Sequence, residues 1–144
     1  MATDIQNKIA GAEYKRSEIA VIYDDKIYGA ETFSYDNKDL PHRLRRSLES
    51  AGIPVKWVSE DVRAKEMFDI TTDRVSLISV HSAKGLDFDL VYLVGVGHII
   101  PTVSNRVYLT GLLYVAITRA RHRLVIPFVE KTEFIEKLIT CNTK

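Results

Sequence analysis

Apolar and polar positions fall into blocks along this chain, and the block over residues 75–94, VSLISVHSAKGLDFDLVYLV, sets the frame for the rest. Two runs rich in β-branched and aromatic residues, 75–80 and 90–94, flank a polar turn, His81-Ser82-Ala83-Lys84-Gly85, followed by Leu86-Asp87-Phe88-Asp89. Continuous apolar runs of that length, bounded by turn residues, predict two strands buried on both faces. A loop carried on strand ends has free backbone groups and a stiff scaffold beneath it, so this turn is the first candidate for chemistry.

Upstream, Glu18-Ile19-Ala20-Val21-Ile22-Tyr23 predicts another buried strand, ended by Asp24-Asp25. Leu40, Leu44, Leu48 and Ala51 form one helical stripe with Pro41 in the first turn and Gly52 at the cap position, predicting a helix over 40–51. Its other side carries Arg43, Arg45 and Arg46, read as a solvated basic face with a phosphate contact as the alternative. Residues 53–58 predict a second strand, because the N–H that Pro54 lacks is tolerated at a strand's start. Residues 26–37 read as an irregular connection, and 60–73 as a charged one with room for a short helix but not for an inserted domain. Residues 1–15, with Ile5 and Ile9 four apart, predict either a short amphipathic helix or a loosely held terminus.

Downstream, Gly95-Val96-Gly97-His98 leads through Pro101 into a polar loop ending near Asn105. Ile100 stands where the dinucleotide fingerprint needs its last glycine, so these glycines read as turn residues and no Rossmann cofactor is expected. Over 106–121, Leu109, Leu112, Leu113, Ala116, Ile117 and Ala120 recur at helical spacing and define an expected buried face. Arg119, Arg121 and Arg123 then fall near a helix C-terminus, where the macrodipole favours cations. Residues 123–128 resume as a strand, and Thr132 is placed to cap a final helix whose inner side is Phe134, Ile135, Leu138 and Ile139. This order of elements implies a three-layer α/β domain with a mostly parallel sheet over 17–144, preceded by an extension over 1–16.

Composition narrows the function classes. Twenty basic against nineteen acidic residues give a net charge of +1, so nucleic-acid binding, if present, rests on local placement rather than on a global field. A single cysteine, Cys141, excludes an internal disulfide and suits a reducing compartment. No apolar run approaches the roughly 20 residues of a membrane span, and residues 1–10 lack the apolar centre of a signal peptide; a cytoplasmic protein with no membrane partner is expected.

Two segments go beyond a generic α/β reading: SVHSAKGLDFDLVYLVG at 79–95 and LLYVAITRARHRLVI at 112–126. In this order and close succession they closely resemble motifs V and VI of the UvrD/Rep-type superfamily I DNA helicases, in their second, C-terminal RecA-like domain. The resemblance implies a RecA-like, P-loop NTPase-like fold that lacks the P-loop, since the first of the family's two RecA-like domains carries the phosphate loop and the metal-binding acids. No GxxxxGK[ST] occurs in this sequence, and Lys84-Gly85 has the two residues reversed. The implied function is the C-terminal half of an ATP-dependent DNA helicase or translocase, inactive alone. ATP and Mg2+ would bind only together with an N-terminal RecA-like domain, in the same or another chain, and single-stranded DNA would be the other partner. No metal site is expected in this half.

Residue by residue, the resemblance places Arg119 on the motif VI arginine that reaches the γ-phosphate. That role needs a permanent cation with forked donors, and arginine supplies both. Asp87 stands at the family's Gly-Leu-Glu acid, near the ribose and phosphates, where a carboxylate can accept a ribose hydroxyl or orient Arg119, although aspartate is one methylene shorter. Gly85 is expected to adopt a positive φ or to admit a ligand's backbone. His81 matches the family histidine on the DNA-facing side, Ser82 can bond a DNA phosphate, and Lys84 can supply charge to one or simply be solvated. The arginine and the turn are expected on one rim of the fold.

Departures from the family pattern sharpen the alternative. Motif IV usually ends in Tyr-Arg, whereas Ile22-Tyr23 is followed here by Asp24, which would repel a nucleotide unless a metal or Lys26 intervened. Leu109-Thr110-Gly111 replaces commonly charged residues. These two features motivate a second reading: a degenerate, non-catalytic helicase-like module that binds DNA or protein.

Overall fold

In a computed structural model of the chain, residues 1–23, 40–58, 72–96, 106–129 and 131–142 are described. Asp24, Lys26, the connection over 60–71 and the polar loop over 97–105 lie outside them. Five strands, β1 (Ile19–Tyr23), β2 (Val55–Val58), β3 (Val75–Ser79), β4 (Phe88–Val94) and β5 (Ala120–Val125), form one sheet in the order β2-β3-β1-β4-β5. Every pairing is parallel. Among the described residues the α-helices are α1 (Ala2–Ala10), α2 (Leu40–Ser50), α3 (Arg106–Arg119) and α4 (Glu133–Asn142).

β1 and β3 are buried at all five of their positions, as central strands covered on both faces must be. Alternation along β1 divides the core in two. Ala20 and Ile22 join Ile78, Val91, Leu93, Leu112 and Ala116 on the face covered by α3, with Ala83 from the β3–β4 connection in the same cluster. Ile19, Val21 and Tyr23 join Leu44, Leu48, Leu77, Leu90 and Tyr92 on the face covered by α1 and α2. Helices on both faces of one sheet make three layers, as the element order predicts.

Local signals explain most boundaries. Gly52 takes φ +72 just past α2; its N–H donates to Glu49 O at 2.9 Å and the Ile53 N–H to Leu48 O at 3.0 Å, a Schellman closure. Pro54 accepts from Val75 N through its carbonyl at 2.9 Å, so the missing donor costs the ladder nothing there. Thr132 accepts the Ile135 N–H on its hydroxyl at 3.4 Å and caps α4 as expected.

Three expectations are corrected or resolved. Residues 1–10 are not a loose end: α1 lays Ile5, 0 % exposed, into the core, and Tyr92 donates its hydroxyl to Asp4. The second-to-last helix stops at Arg119 rather than 121, and β5 runs over 120–125 rather than 123–128. Arg121, His122 and Arg123 are exposed, because β5 is the outer strand of the five and needs no continuous apolar run. Ile117, expected inward, is 51 % exposed; among the described side chains of α3, Leu112 and Ala116 are buried, while Val107 and Tyr114 also face outward, so apolar side chains surround much of this helix.

Burial and the neighbouring Asp4 carboxylate push the Tyr92 phenol well above its ordinary value. A raised acid pKa in the folded state means that the unfolded chain releases the proton first. The stabilisation is therefore complete below pH 10, the ordinary tyrosine value, and lost progressively above it. Urea midpoints of the wild-type chain and Tyr92→Phe should differ at neutral pH and converge as pH rises past that value.

Candidate nucleotide and DNA site

The β3–β4 connection, residues 80–87, positions the candidate residues. Because β3 and β4 are parallel and lie on opposite sides of β1, this connection leaves the C-terminal edge of the sheet and returns to the N-terminal edge. Its first half is pinned at the top. Val80 N donates to Tyr23 O at 2.9 Å, Ala83 N to Ser79 O at 2.9 Å, and Ser82 N to Ser79 Oγ at 3.3 Å. Ser79 Oγ also donates to Ser82 Oγ at 3.1 Å. His81 and Lys84 are exposed beside this turn, and Ser82 is half-buried.

The second half turns at Gly85, whose φ is +85. A Cβ there would meet no atom within 4 Å, so backbone conformation, not crowding, demands glycine. Gly85→Ala should destabilise the chain by about 1–2 kcal/mol, the usual cost of a left-handed conformation for an L-residue, read from its urea midpoint.

From Gly85 the chain passes Leu86 and Asp87 into β4, where Phe88 pairs with Ala120 of β5. That register sets Asp87 and Arg119, one residue before each strand, side by side at the N-terminal edge. Arg119 Nη1 donates to Leu86 O at 3.1 Å and lies 3.2 Å from Asp87 Oδ1. Nη2 donates to the Thr118 hydroxyl at 3.3 Å, and Nε is buried without a protein partner. The Arg119 side chain is 20 % exposed and that of Asp87 44 %. A bulge follows, two residues of β5 facing one of β4, and brings Arg121 and His122 to 4.0 and 3.9 Å from Asp89.

The six candidate residues therefore separate. Gly85, Asp87 and Arg119 gather at the N-terminal edge; His81 and Ser82 sit at the C-terminal edge, with Lys84 on the turn between. The expectation of one shared rim holds for Arg119 and the 85–87 end only. Sequence reading also missed Leu86, whose role is played by a main-chain carbonyl and so leaves no residue-type signal. Among the described residues, no group of three His, Cys, Asp or Glu side chains is placed to hold a metal.

The fold and its edge define the class at the level of architecture: an all-parallel five-stranded α/β sheet with helices on both faces, an arginine and an acid paired at its N-terminal edge, and no phosphate-loop motif in its sequence. Comparison with known proteins agrees. The model of the UvrD-like helicase C-terminal domain matches residues 58–131, and the chain belongs to that family. It is similar to the ATP-dependent DNA helicase Rep of Buchnera aphidicola subsp. Schizaphis graminum (strain Sg), with 31 % identity over 112 residues, 72 % of this chain and 17 % of the relative. The chain thus spans about a sixth of that relative's length. Its fold is similar to the C-terminal domain of a possible DNA helicase from Lactobacillus plantarum WCFS1, with a TM-score of 0.61 and 18 % identity, over 93 % of this chain and 70 % of that one.

Proposed function

We propose that this chain works as the C-terminal RecA-like half of an ATP-dependent DNA helicase or translocase, with Arg119 as its arginine finger. The observation that supports this most is the state of Arg119 at the N-terminal edge: anchored through Nη1, largely shielded from water, and with Nε buried but unpartnered. A guanidinium held this way can meet the charge that spreads over a transferred phosphoryl group, in a setting where that charge is poorly screened. In this reading the N-terminal RecA-like half brings the phosphate loop and the acids for Mg2+. Gly85 and Asp87 line the same edge, beside the nucleotide.

His81, Ser82 and Lys84 are the residues for single-stranded DNA. The Ser82 N–H already donates to Ser79, so the serine would meet a phosphate through its own O–H. Arg119 hangs on the far end of the same short connection, which gives nucleotide and strand one shared element to bias. Among the described residues, no helix is long and apolar enough to cross a membrane.

The test joins this chain to an N-terminal RecA-like helicase domain and measures ATP hydrolysis with and without single-stranded DNA. Turnover that rises with DNA supports the motor reading. DNA or protein binding with no turnover supports the non-catalytic module instead.

A further inference from the structure

The acid at position 87 faces two possible partners, a nucleotide's ribose or the arginine beside it. Its carboxylate stands on a single methylene, and Oδ1 is 3.2 Å from Arg119 Nη1. Turning Oδ1 outward to a ribose would release that guanidinium. The neighbouring Leu86 carbonyl accepts from the same Nη1 at 3.1 Å, so a hydrogen bond and an ion pair from consecutive residues converge on one nitrogen. The ladder supports them, because the Phe88–Ala120 pairing fixes the distance between the two strand starts. The positive φ of Gly85 sets the path by which both groups arrive.

From this convergence we infer that Asp87 is a positioning residue for Arg119 and not a ligand of the nucleotide. Arginine has many rotamers, and a finger is effective only when its donors already point where charge will develop. Asp87 and Leu86 O select one rotamer before any nucleotide arrives. The inference rests on the arginine-finger reading of Arg119, and it extends that reading to the specificity of the site: position 87 does not read the ribose.

Two measurements test it. In the chain joined to its N-terminal partner half, Asp87→Asn should lower kcat for ATP by roughly ten- to a hundredfold with KM within about twofold, the signature of a lost transition-state contact. The preference for ATP over 2′-deoxyATP and 3′-deoxyATP should be the same in both proteins, and Asp87→Glu, which keeps the charge, should recover part of kcat. A raised KM with ribose preference lost, or unchanged kcat and KM, overturns the inference. In the 144-residue chain alone, nitrogen NMR of the Arg119 guanidinium should show faster rotation of the Nη groups in Asp87→Asn than in the wild type. Equal rotation overturns the inference without involving hydrolysis, whereas an Arg119→Ala enzyme that still hydrolyses ATP overturns the finger itself.

Discussion

Arg119→Ala should lower DNA-stimulated ATP hydrolysis by roughly a thousandfold or more in the chain joined to its N-terminal partner half, the range found when an arginine finger is removed from a phosphoryl-transfer site. The size follows from what the residue offers. A guanidinium's planar fork can bond two oxygens at once as negative charge spreads across them. Arg119→Lys should therefore recover little, since a point charge on a flexible stem lacks the fork. Folding should hardly change. The ion pair to Asp87 involves a carboxylate that is 44 % exposed, and pairs in such settings are worth about 1 kcal/mol or less. Circular dichroism and urea midpoints close to wild type, beside a collapsed turnover rate, would separate lost chemistry from lost structure. A fall of less than about tenfold, with DNA binding intact, would remove Arg119 from the γ-phosphate.

Ile5→Ala should destabilise the chain by about 2–5 kcal/mol, the usual range for truncating a large buried aliphatic residue to alanine. Ile5 is 0 % exposed and packs in the same cluster as Ile19, Leu48, Leu77 and Tyr92, so its loss leaves a cavity inside the core rather than at its margin. Ile9, half-buried on the same helix, is the internal control and should cost clearly less. Equilibrium urea denaturation of the two variants provides the comparison. If both leave the midpoint where it is, α1 is an appendage, and the contacts of Ile5 and Asp4 do not contribute to the fold.

Much of the architecture was legible in the residues themselves. β1 and β3 are central strands whose continuous apolar runs can only be satisfied by cover on both faces. α2 announces its end through Gly52. The order of elements, read with the handedness and adjacency rules for α/β connections, already implies a parallel sheet. The apolar pattern starts β5 three residues late because the strand's first half is charged. A strand at the outside of the sheet need not hide those side chains, so hydrophobic periodicity is silent about where it starts. Ile117 departs from its expected burial for the opposite reason: α3 is apolar around most of its circumference, and periodicity cannot choose a buried face when nearly every face qualifies.

The candidate site divides along the same line. The sequence by itself carries the resemblance to motifs V and VI of a helicase C-terminal domain, the arginine at 119, and the absence of any GxxxxGK[ST] phosphate loop. Which candidates share a surface was decided by strand order. Because β1 lies between β3 and β4, the eight residues joining those strands cross from one edge of the sheet to the other and carry His81 and Asp87 apart. The anchoring of Arg119 to the Leu86 carbonyl follows from the pairing of β4 with β5, residues more than thirty positions apart in sequence. Local pattern records which side chains prefer burial or a turn; pairing between distant strands settles which edge each turn reaches, and no short stretch of sequence contains it.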